Sequence, residues 1–290
     1  MARKTTHRRT VRRKNSRRSP VVTIILTVLL LGAAAYAAIH NGNVSSRNHT
    51  DYSTDAESLL QVVTPDSIPS TPVSYTGFNL SFNPKMHIPN WVAWELTADE
   101  TGGKTPRTNK FVTDPNVPGC AETYDYLYSG YDRGHMAPAA DMKWDATAMA
   151  ESFTLTNICP QAKQLNTGAW RTLEEKCRQW AQADSAIIII SGPILTPAPH
   201  EYIGDSRVAV PRSFFKVILS PYARPMRGIA FVMPNGYVKG GMQSAATSID
   251  KVEELTGLDF FSALPDSIEQ EVEAQNDFHM WSTLKPGRNK

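Results

Sequence analysis

From about Phe78 onward the chain alternates between segments with the hydrophobic pattern of strands and segments with that of helices. Alternating apolar and polar residues, or short apolar runs bounded by turn residues, predict the strands Trp91–Thr97, Asn109–Thr113, Ala186–Ser191, Ser213–Leu219 and Gly228–Met233. Apolar residues at three- and four-residue steps, together with capping residues, predict the helices Asp145–Phe153, Thr167–Ala183, Ser248–Thr256 and Asp266–Gln275. Because the two kinds of element mix without a strict βαβ order, we expect an α+β domain with a largely antiparallel central sheet.

Residues with capping propensity set several of these helix ends. Asp145 stands at the start of its helix, and Gly257 follows the last residue of another, where a left-handed conformation is common. Asp266 and Glu269 have the spacing of a capping box. We therefore expect side-chain caps at Asp145 and Asp266 and a glycine cap at Gly257.

The amino-terminal segment has a pattern of its own. Residues 1–20 carry nine Lys and Arg and no Asp or Glu, and residues 21–39 carry no charge. As a helix, residues 21–39 would span roughly 28 Å, close to the ~30 Å hydrocarbon core of a bilayer. We expect a basic cytoplasmic tail (1–20) and a transmembrane helix or signal anchor (21–39). A cleaved signal peptide ending near Ala35-Tyr36-Ala37 and an Arg-rich organellar transit peptide are the alternatives.

This orientation predicts that the rest of the chain lies on the non-cytoplasmic side, in the periplasm or at the cell exterior, or is secreted if the amino terminus is cleaved. Residues 40–75 are rich in Ser, Thr, Asn, Asp and Pro and show little periodicity, so we expect a flexible linker.

The net charge of +2 belongs to the amino-terminal tail. Subtracting its nine basic residues from 30 Lys and Arg leaves 21, against 28 Asp and Glu, so residues 41–290 carry a net charge of −7. Non-specific nucleic-acid binding usually depends on a basic surface. A nucleic-acid ligand would therefore need a local cluster of basic residues or bound metal ions.

Three cysteines are present, Cys120, Cys159 and Cys177, without the CxxC or Cys/His spacing of a zinc site. In an oxidising compartment we expect Cys159 to pair with Cys177, since Cys177 lies on a predicted helix that follows Cys159 closely. Three buried thiols are the alternative.

Residues 129–142, SGYDRGHMAPAADM, combine more chemically useful groups than any other segment. His135 is the best candidate for a general base because imidazole titrates near neutral pH, and only this one of the seven histidines adjoins an Arg and a Gly. Arg133 can place a planar guanidinium on phosphate oxygens, and Gly134 would allow the backbone to approach a ligand. A structural histidine, a surface salt bridge and a plain turn are the alternatives, and Asp132 is best explained as a structural acceptor.

A second polar block follows some thirty residues later. Asn166 stands before the predicted helix and is either its N-cap or an oxygen ligand of Mg²⁺, which takes few protein groups. Glu174 lies about two turns further on, on nearly the same face, where it could hold metal-bound water or be an exposed glutamate. Asn157 and Gln161 can orient the loop by side-chain hydrogen bonds.

Together, the two blocks resemble the DNA/RNA non-specific endonuclease family, which includes the Serratia-type and endonuclease G-like enzymes. The resemblance rests on Asp132-Arg133-Gly134-His135 with Ala137-Pro138, and on Asn157-x-x-Pro160-Gln161 followed by Asn166, Trp170 and Glu174. It extends over roughly residues 75–281 and predicts an endonuclease domain at 76–285.

The resemblance implies a ββα-metal (His-Me finger) fold, in which a hairpin presents His135 and a helix presents Asn166. It implies Mg²⁺, with Mn²⁺ as a substitute, bound directly by Asn166 and through water by Glu174. His135 would be the general base, and Arg133 with the loosely aligned Arg107 would stabilise charge on the phosphate. DNA and RNA would be cleaved to 5′-phosphate products. The family also allows a homodimer, for which no segment marks an interface.

Two other functions compete with this prediction. A non-catalytic, membrane-anchored nucleic-acid-binding module would keep the fold, but it would have no need of a base beside Arg133 and Asn166. A metal-dependent phosphodiesterase for small substrates is slightly favoured by the acidic net charge.

Overall fold

A seven-stranded antiparallel sheet forms the centre of the protein in this computed structural model, which describes residues 55–199 and 201–284. The described strands are β1 (Val62–Val63), β2 (Thr71–Ser74), β3 (Asn79–Asn83), β4 (Ile88–Thr97), β5 (Asp132–His135), β6 (Ile158–Gln161), β7 (Ala186–Ile194), β8 (Glu201–Ile203), β9 (Val208–Val210), β10 (Ser213–Ser220), β11 (Arg227–Pro234), β12 (Ala246–Thr247) and β13 (Asp259–Phe260). The main sheet has the order β12-β11-β10-β7-β4-β3-β2, and each neighbouring pair is antiparallel. The predicted mixture of strands and helices around a largely antiparallel sheet is confirmed.

Helices cover both faces of this sheet. The described α-helices are α1 (Ala56–Leu59), α2 (Ala146–Glu151), α3 (Lys163–Asn166), α4 (Ala169–Asp184), α5 (Ile249–Thr256), α6 (Asp266–Glu273) and α7 (Phe278–Ser282). Short 3₁₀ helices occur at Glu100–Gly102, Thr123–Tyr126, Leu155–Asn157 and Met242–Ala245. Smaller two-stranded sheets pair β1 with β13, β5 with β6, and β8 with β9.

The apolar run of β7 supplies both cores because successive side chains of a strand point to opposite faces. Ile187 and Ile189 belong to one buried cluster, together with residues of α4, while Ile188 and Ile190 belong to a second cluster, together with residues of α5 and α6. The helix α4 and the helix pair α5–α6 therefore lie on opposite faces of the sheet. As the spacing predicts, α4 buries one stripe of side chains: Trp170, Leu173, Cys177 and Trp180.

The predicted linker does not extend to residue 75. The chain forms α1, β1 and β2 between residues 55 and 74, and β2 pairs with β3 along the edge of the main sheet. Leu59 is fully buried and Val62 is 9% exposed in the second core. Elements of two to four residues are too short to produce a recognisable period, which explains the wrong prediction.

The predicted tail (1–20) and transmembrane helix (21–39) lie outside the described residues. Within residues 55–199 and 201–284, no helix combines the length and apolar character needed to cross a membrane.

Two local predictions are wrong, and two helix caps are confirmed. The predicted strand Asn109–Thr113 is reduced to a single bridge between Val112 and Thr154. Helix α6 begins at Asp266 itself, so this residue is not its N-cap and the predicted capping box is absent. The Asp145 side chain accepts hydrogen bonds from the first turn of α2, and Gly257 ends α5 in a left-handed conformation, both as predicted.

Candidate active site

The two motif blocks of the sequence form adjoining strands. β5 and β6 are antiparallel, with His135 opposite Ile158 and Gly134 opposite Cys159. The chain leaves β6 directly into α3, which ends at Asn166, and α4 begins at Ala169. A strand pair followed by these helices thus brings residues about thirty positions apart to one place.

A solvent-open cavity of about 220 Å³ lies where these elements meet. Its lining includes five residues singled out from the sequence: Arg107, Arg133, His135, Asn166 and Glu174. Asp132, Gly134, Asn157 and Gln161 are not among the lining residues.

His135 occupies an aromatic surrounding at the cavity wall. Its side chain is 7% exposed, and its ring centroid lies 4.9 Å from that of Phe153 and 5.5 Å from that of Phe111. The Nε2 atom is buried and has no hydrogen-bond partner among the described residues. Burial, and secondarily the positive charge of Arg107, lower the pKa of His135 to about 3. The imidazole is therefore neutral at neutral pH and able to accept a proton.

Two arginines line the cavity near this imidazole. The guanidinium of Arg133 donates from Nη2 to the carbonyl oxygen of Thr123 at 2.7 Å and lies 5.2 Å from the ring centroid of Phe111. Arg107 is exposed, lies 4.9 Å from the ring centroid of Phe153 and donates from Nε to Asn109 Oδ1 at 2.7 Å. Both cations are held by neutral partners, so their charges remain available to an anion in the cavity.

Asn166 is held by Asp132. The Nδ2 atom of Asn166 donates to Asp132 Oδ2 at 2.9 Å, which leaves the carbonyl oxygen Oδ1 as the group that can bind a cation. Asn166 is the last residue of α3, and Gly168 precedes α4, so the alternative of an N-cap is wrong. The predicted helix Thr167–Ala183 corresponds to α4, which begins slightly later, at Ala169, with Gly168 as its N-cap, while Thr167 is the C-cap of α3.

Glu174 is the acidic group of the cavity. It is partly buried on α4, and burial raises its pKa to about 7, against an opposing effect of Lys216. Lys216 on β10 is fully buried, with Nζ 4.4 Å from the ring centroid of Trp170 and 4.9 Å from that of Trp94. A buried ammonium beside the carboxylate favours its ionised form, which a metal-bound water or a cation would also favour.

Asn157, Gly134 and Gln161 support the strand pair rather than line the cavity. The buried carboxamide of Asn157 accepts from Ala137 N and donates to Ala137 O and Ser152 O, each at 2.9 Å. A Cβ added to Gly134 would collide with the side chain of Gln161, so the glycine makes room for that side chain instead of a ligand. The amide atoms of Gln161 are buried without a partner among the described residues.

Sequence reasoning missed three contributors to this site. Arg171 lines the cavity, and its position one helical turn before Glu174 was a usable signal. Phe153 follows the end of α2, and Lys216 lies on β10. Neither residue stands in the two motif blocks, so nothing in the local sequence indicated its place near the site.

The predicted disulfide is absent. Cys159 and Cys177 are both free and buried, and Cys120 is free and partly buried. Cys159 lies in β6, whereas Cys177 lies on the core-facing stripe of α4. Their closeness in the sequence therefore does not bring the two sulfurs together. Burial raises the pKa of the Cys177 thiol to about 12, which keeps it protonated.

The chain belongs to the DNA/RNA non-specific endonuclease family, whose family model matches residues 55–267. Members of this family depend on a metal ion. The resemblance predicted from the two motif blocks is thereby confirmed.

Named nucleases are among its relatives. The chain is 38% identical over 207 residues to "Nuclease EXOG, mitochondrial" of Danio rerio, covering 66% of this chain and 60% of that protein. It is 32% identical to "Nuclease 1, mitochondrial" of Schizosaccharomyces pombe, covering 74% and 73%, respectively. The match thus spans little more than half the length of the EXOG relatives.

A similar fold occurs in the crystal structure of the EndoG/EndoGI complex, which concerns EndoG inhibition. The match has a TM-score of 0.64 and 29% sequence identity, and covers 70% of this chain and 94% of that chain. Neither a membrane partner nor a homodimer gains support from these comparisons.

The predicted location on the non-cytoplasmic side of a membrane, or outside the cell, is contradicted. The relatives from Danio rerio and Schizosaccharomyces pombe are named as mitochondrial nucleases.

Proposed function

We propose that this chain is a metal-dependent endonuclease that hydrolyses phosphodiester bonds of DNA and RNA, with a ββα-metal (His-Me finger) site built from β5, β6 and the helices that follow. The observation that carries the proposal is the meeting of a neutral buried imidazole, three arginines, a carboxamide and a carboxylate in one open cavity. These are the groups that a hydrolysis of this kind requires: a base, neutralisation of phosphate charge, and oxygen ligands for a metal.

The cavity suits a hard divalent cation such as Mg²⁺, with Mn²⁺ as a substitute. Asn166 would supply Oδ1 as the direct protein ligand, since its Nδ2 is already bonded to Asp132. Glu174 would hold water in the ion's shell, as its carboxylate lines the same cavity. Mg²⁺ keeps several waters and often takes only one or two protein groups, which matches so small a set of donors. A bound ion would stabilise charge on the phosphate and on the leaving oxygen.

His135 would take the proton of the attacking water. Its low pKa keeps it neutral before substrate binds, and the negative phosphate would then favour the imidazolium that forms. Loss of the 3′ oxygen as the leaving group would give 5′-phosphate products.

The arginines would bind the phosphate. Arg107, Arg133 and Arg171 all line the cavity, so basic groups are concentrated there although residues 41–290 are acidic overall. Contacts to the phosphate and not to a base or sugar would account for cleavage of both DNA and RNA.

The test is cleavage of plasmid DNA and of RNA by the full chain, with Mg²⁺ or with EDTA, beside His135→Ala. We expect EDTA to abolish cleavage and loss of the base to lower the rate at least ~10²-fold. His279→Ala is the matched control, because His279 is exposed on α7 and does not line the cavity. Equal rates for His135→Ala and the unmodified chain would overturn the proposal, as would cleavage of a bis-aryl phosphate without cleavage of either polymer.

A further inference from the structure

Three carboxylates converge on the face of the sheet opposite the active site. Asp250 and Glu253 belong to α5, and Glu273 ends α6. Each offers an oxygen, and these oxygens all lie within 4.8 Å of one another. Residues of α5 and α6 pack in the second core, whereas the active-site helix α4 packs in the first, so the two places are separated by the sheet.

Glu273 is the unusual member of this group. It is only 6% exposed, and its Oε1 atom is buried without a hydrogen-bond partner among the described residues. Burial of a carboxylate oxygen is costly unless it is paired with a donor or a cation. The carboxyl group of Glu273 contributes an oxygen to this cluster, yet its buried Oε1 lacks a group that would stabilise it.

The surroundings of Glu273 are negative. Burial, and then the charges of Glu253, Glu269, Asp250 and Asp259, raise its pKa to about 9. Lys251, the basic residue of α5, is bonded instead to Glu254 at 2.6 Å. The neighbouring carboxylates thus oppose ionisation of Glu273, and no described side chain neutralises them by an ion pair.

The spacing of the oxygens fits one cation. Two oxygens bound to the same Ca²⁺ can be separated by at most twice the ~2.3–2.6 Å bond length. The three oxygens meet this condition, since all lie within 4.8 Å of one another. Glu253 is also oriented, because its Oε1 accepts a hydrogen bond from Phe260 N at 2.8 Å and leaves the other oxygen available.

We propose that Asp250, Glu253 and Glu273 form a second site for a hard divalent cation, of the calcium type, that links α5 to α6 on the side of the sheet away from the active site. Water would complete the coordination shell, since two of the three helix positions are partly open to solvent. The role of the ion there is structural: it offsets repulsion between carboxylates and binds the folded chain but not the unfolded one.

The experiment measures thermal unfolding of the full chain with CaCl₂ or EDTA in an Asn166→Ala background, so that an ion at the active site does not contribute. We expect Ca²⁺ at about ten times its dissociation constant to raise the Tm by about 3–6 °C. Glu253→Gln with Glu273→Gln should abolish this rise. Each variant is compared with itself in EDTA, because replacing a repelled carboxylate also changes the stability of the ion-free protein.

The matched control is Glu254→Gln with Glu271→Gln, which removes the same charge from the same two helices outside the cluster and should keep the full rise. If the cluster variant does not fold, Ca²⁺ binding is measured by equilibrium dialysis with Asp250→Asn in the same Asn166→Ala background. Asp250 is exposed, and we expect this variant to bind Ca²⁺ more weakly than the background alone. The proposal is wrong if Ca²⁺ does not raise the Tm of the Asn166→Ala background, or if the cluster and control variants respond equally.

Discussion

Asn157→Ala should destabilise the protein strongly although Asn157 does not line the cavity. Its carboxamide joins three backbone groups: the N–H and the carbonyl of Ala137, two residues after the candidate base, and the carbonyl of Ser152, which follows α2. Asn157 is fully buried, so the alanine variant would leave these groups without a partner and without easy access to water.

The size of the effect follows from those three bonds, each 2.9 Å long. A net contribution of about 1 kcal/mol per hydrogen bond sets a lower value near 3 kcal/mol, and the cost of stranding buried polar groups raises it to about 3–5 kcal/mol. For a domain of this size, such a loss lowers the Tm by about 10 °C or more.

The assay is urea unfolding of the full chain, read by tryptophan fluorescence, with the cleavage rate measured below the transition. We expect the midpoint to fall while the folded variant keeps its Mg²⁺ requirement. Asn276→Ala, at an exposed position without a side-chain hydrogen bond among the described residues, should change the free energy of unfolding by less than about 0.5 kcal/mol. Unchanged stability together with lost cleavage would refute the reasoning, since Asn157 would then act in the chemistry.

Three further predictions concern other parts of the structure. Asp132→Ala should raise the Mg²⁺ concentration for half-maximal cleavage by ~10–100-fold, because Asn166 loses the acceptor that orients it. Arg133→Lys should lower kcat/KM by ~10–100-fold without unfolding the protein, because lysine cannot reproduce the planar guanidinium. In EDTA, the free energy of unfolding of Glu273→Gln relative to the wild-type protein should increase between pH 4.5 and about 9. Over this range the carboxyl of Glu273 is ionised in the unfolded chain but still protonated in the folded one.

The sign of this last effect follows from the direction of the pKa shift. A folded pKa above the unfolded value makes the folded chain hold its proton more tightly, so the wild-type protein loses stability as the pH rises through that range. Gln does not ionise, and the difference between the two proteins should therefore grow with pH. A difference in stability that is independent of pH would contradict the assignment.

The control for the Mg²⁺ titration of Asp132→Ala is Asp205→Ala, which changes an exposed aspartate outside the cavity.

The sequence was most informative where chemistry and periodicity coincide. His135 and Arg133 stand together in one short strand, and the spacing of Asn166 and Glu174 predicted that both would reach the same place, as the cavity lining shows. The prediction assumed one helix that starts beside Asn166 and continues past Glu174, whereas α3 ends and α4 begins between those two residues.

Other features could not be predicted because they arise from contacts between distant segments. Lys216 looks like an ordinary polar position of β10 until the sheet places it against Trp170 and Trp94. Likewise, Glu273 was predicted only as part of the helix Asp266–Gln275, and its burial depends on how α6 packs. The prediction of a linker over residues 55–75 failed for a related reason: the strands there are too short to have a period and are held by pairing with other strands.

The central claim is that His135 and Asn166 serve one chemical step at one metal-dependent site. It is tested most directly by a double-mutant cycle on cleavage of a defined DNA duplex by the full chain in saturating Mg²⁺, with His135→Ala, Asn166→Ala and the double variant. Groups that act as a unit are not additive, so each single change should lower kcat by ~10²-fold or more and the double change by little more than the larger of the two. Losses that multiply to ~10⁴-fold or beyond, or full activity in either single variant, would contradict the account.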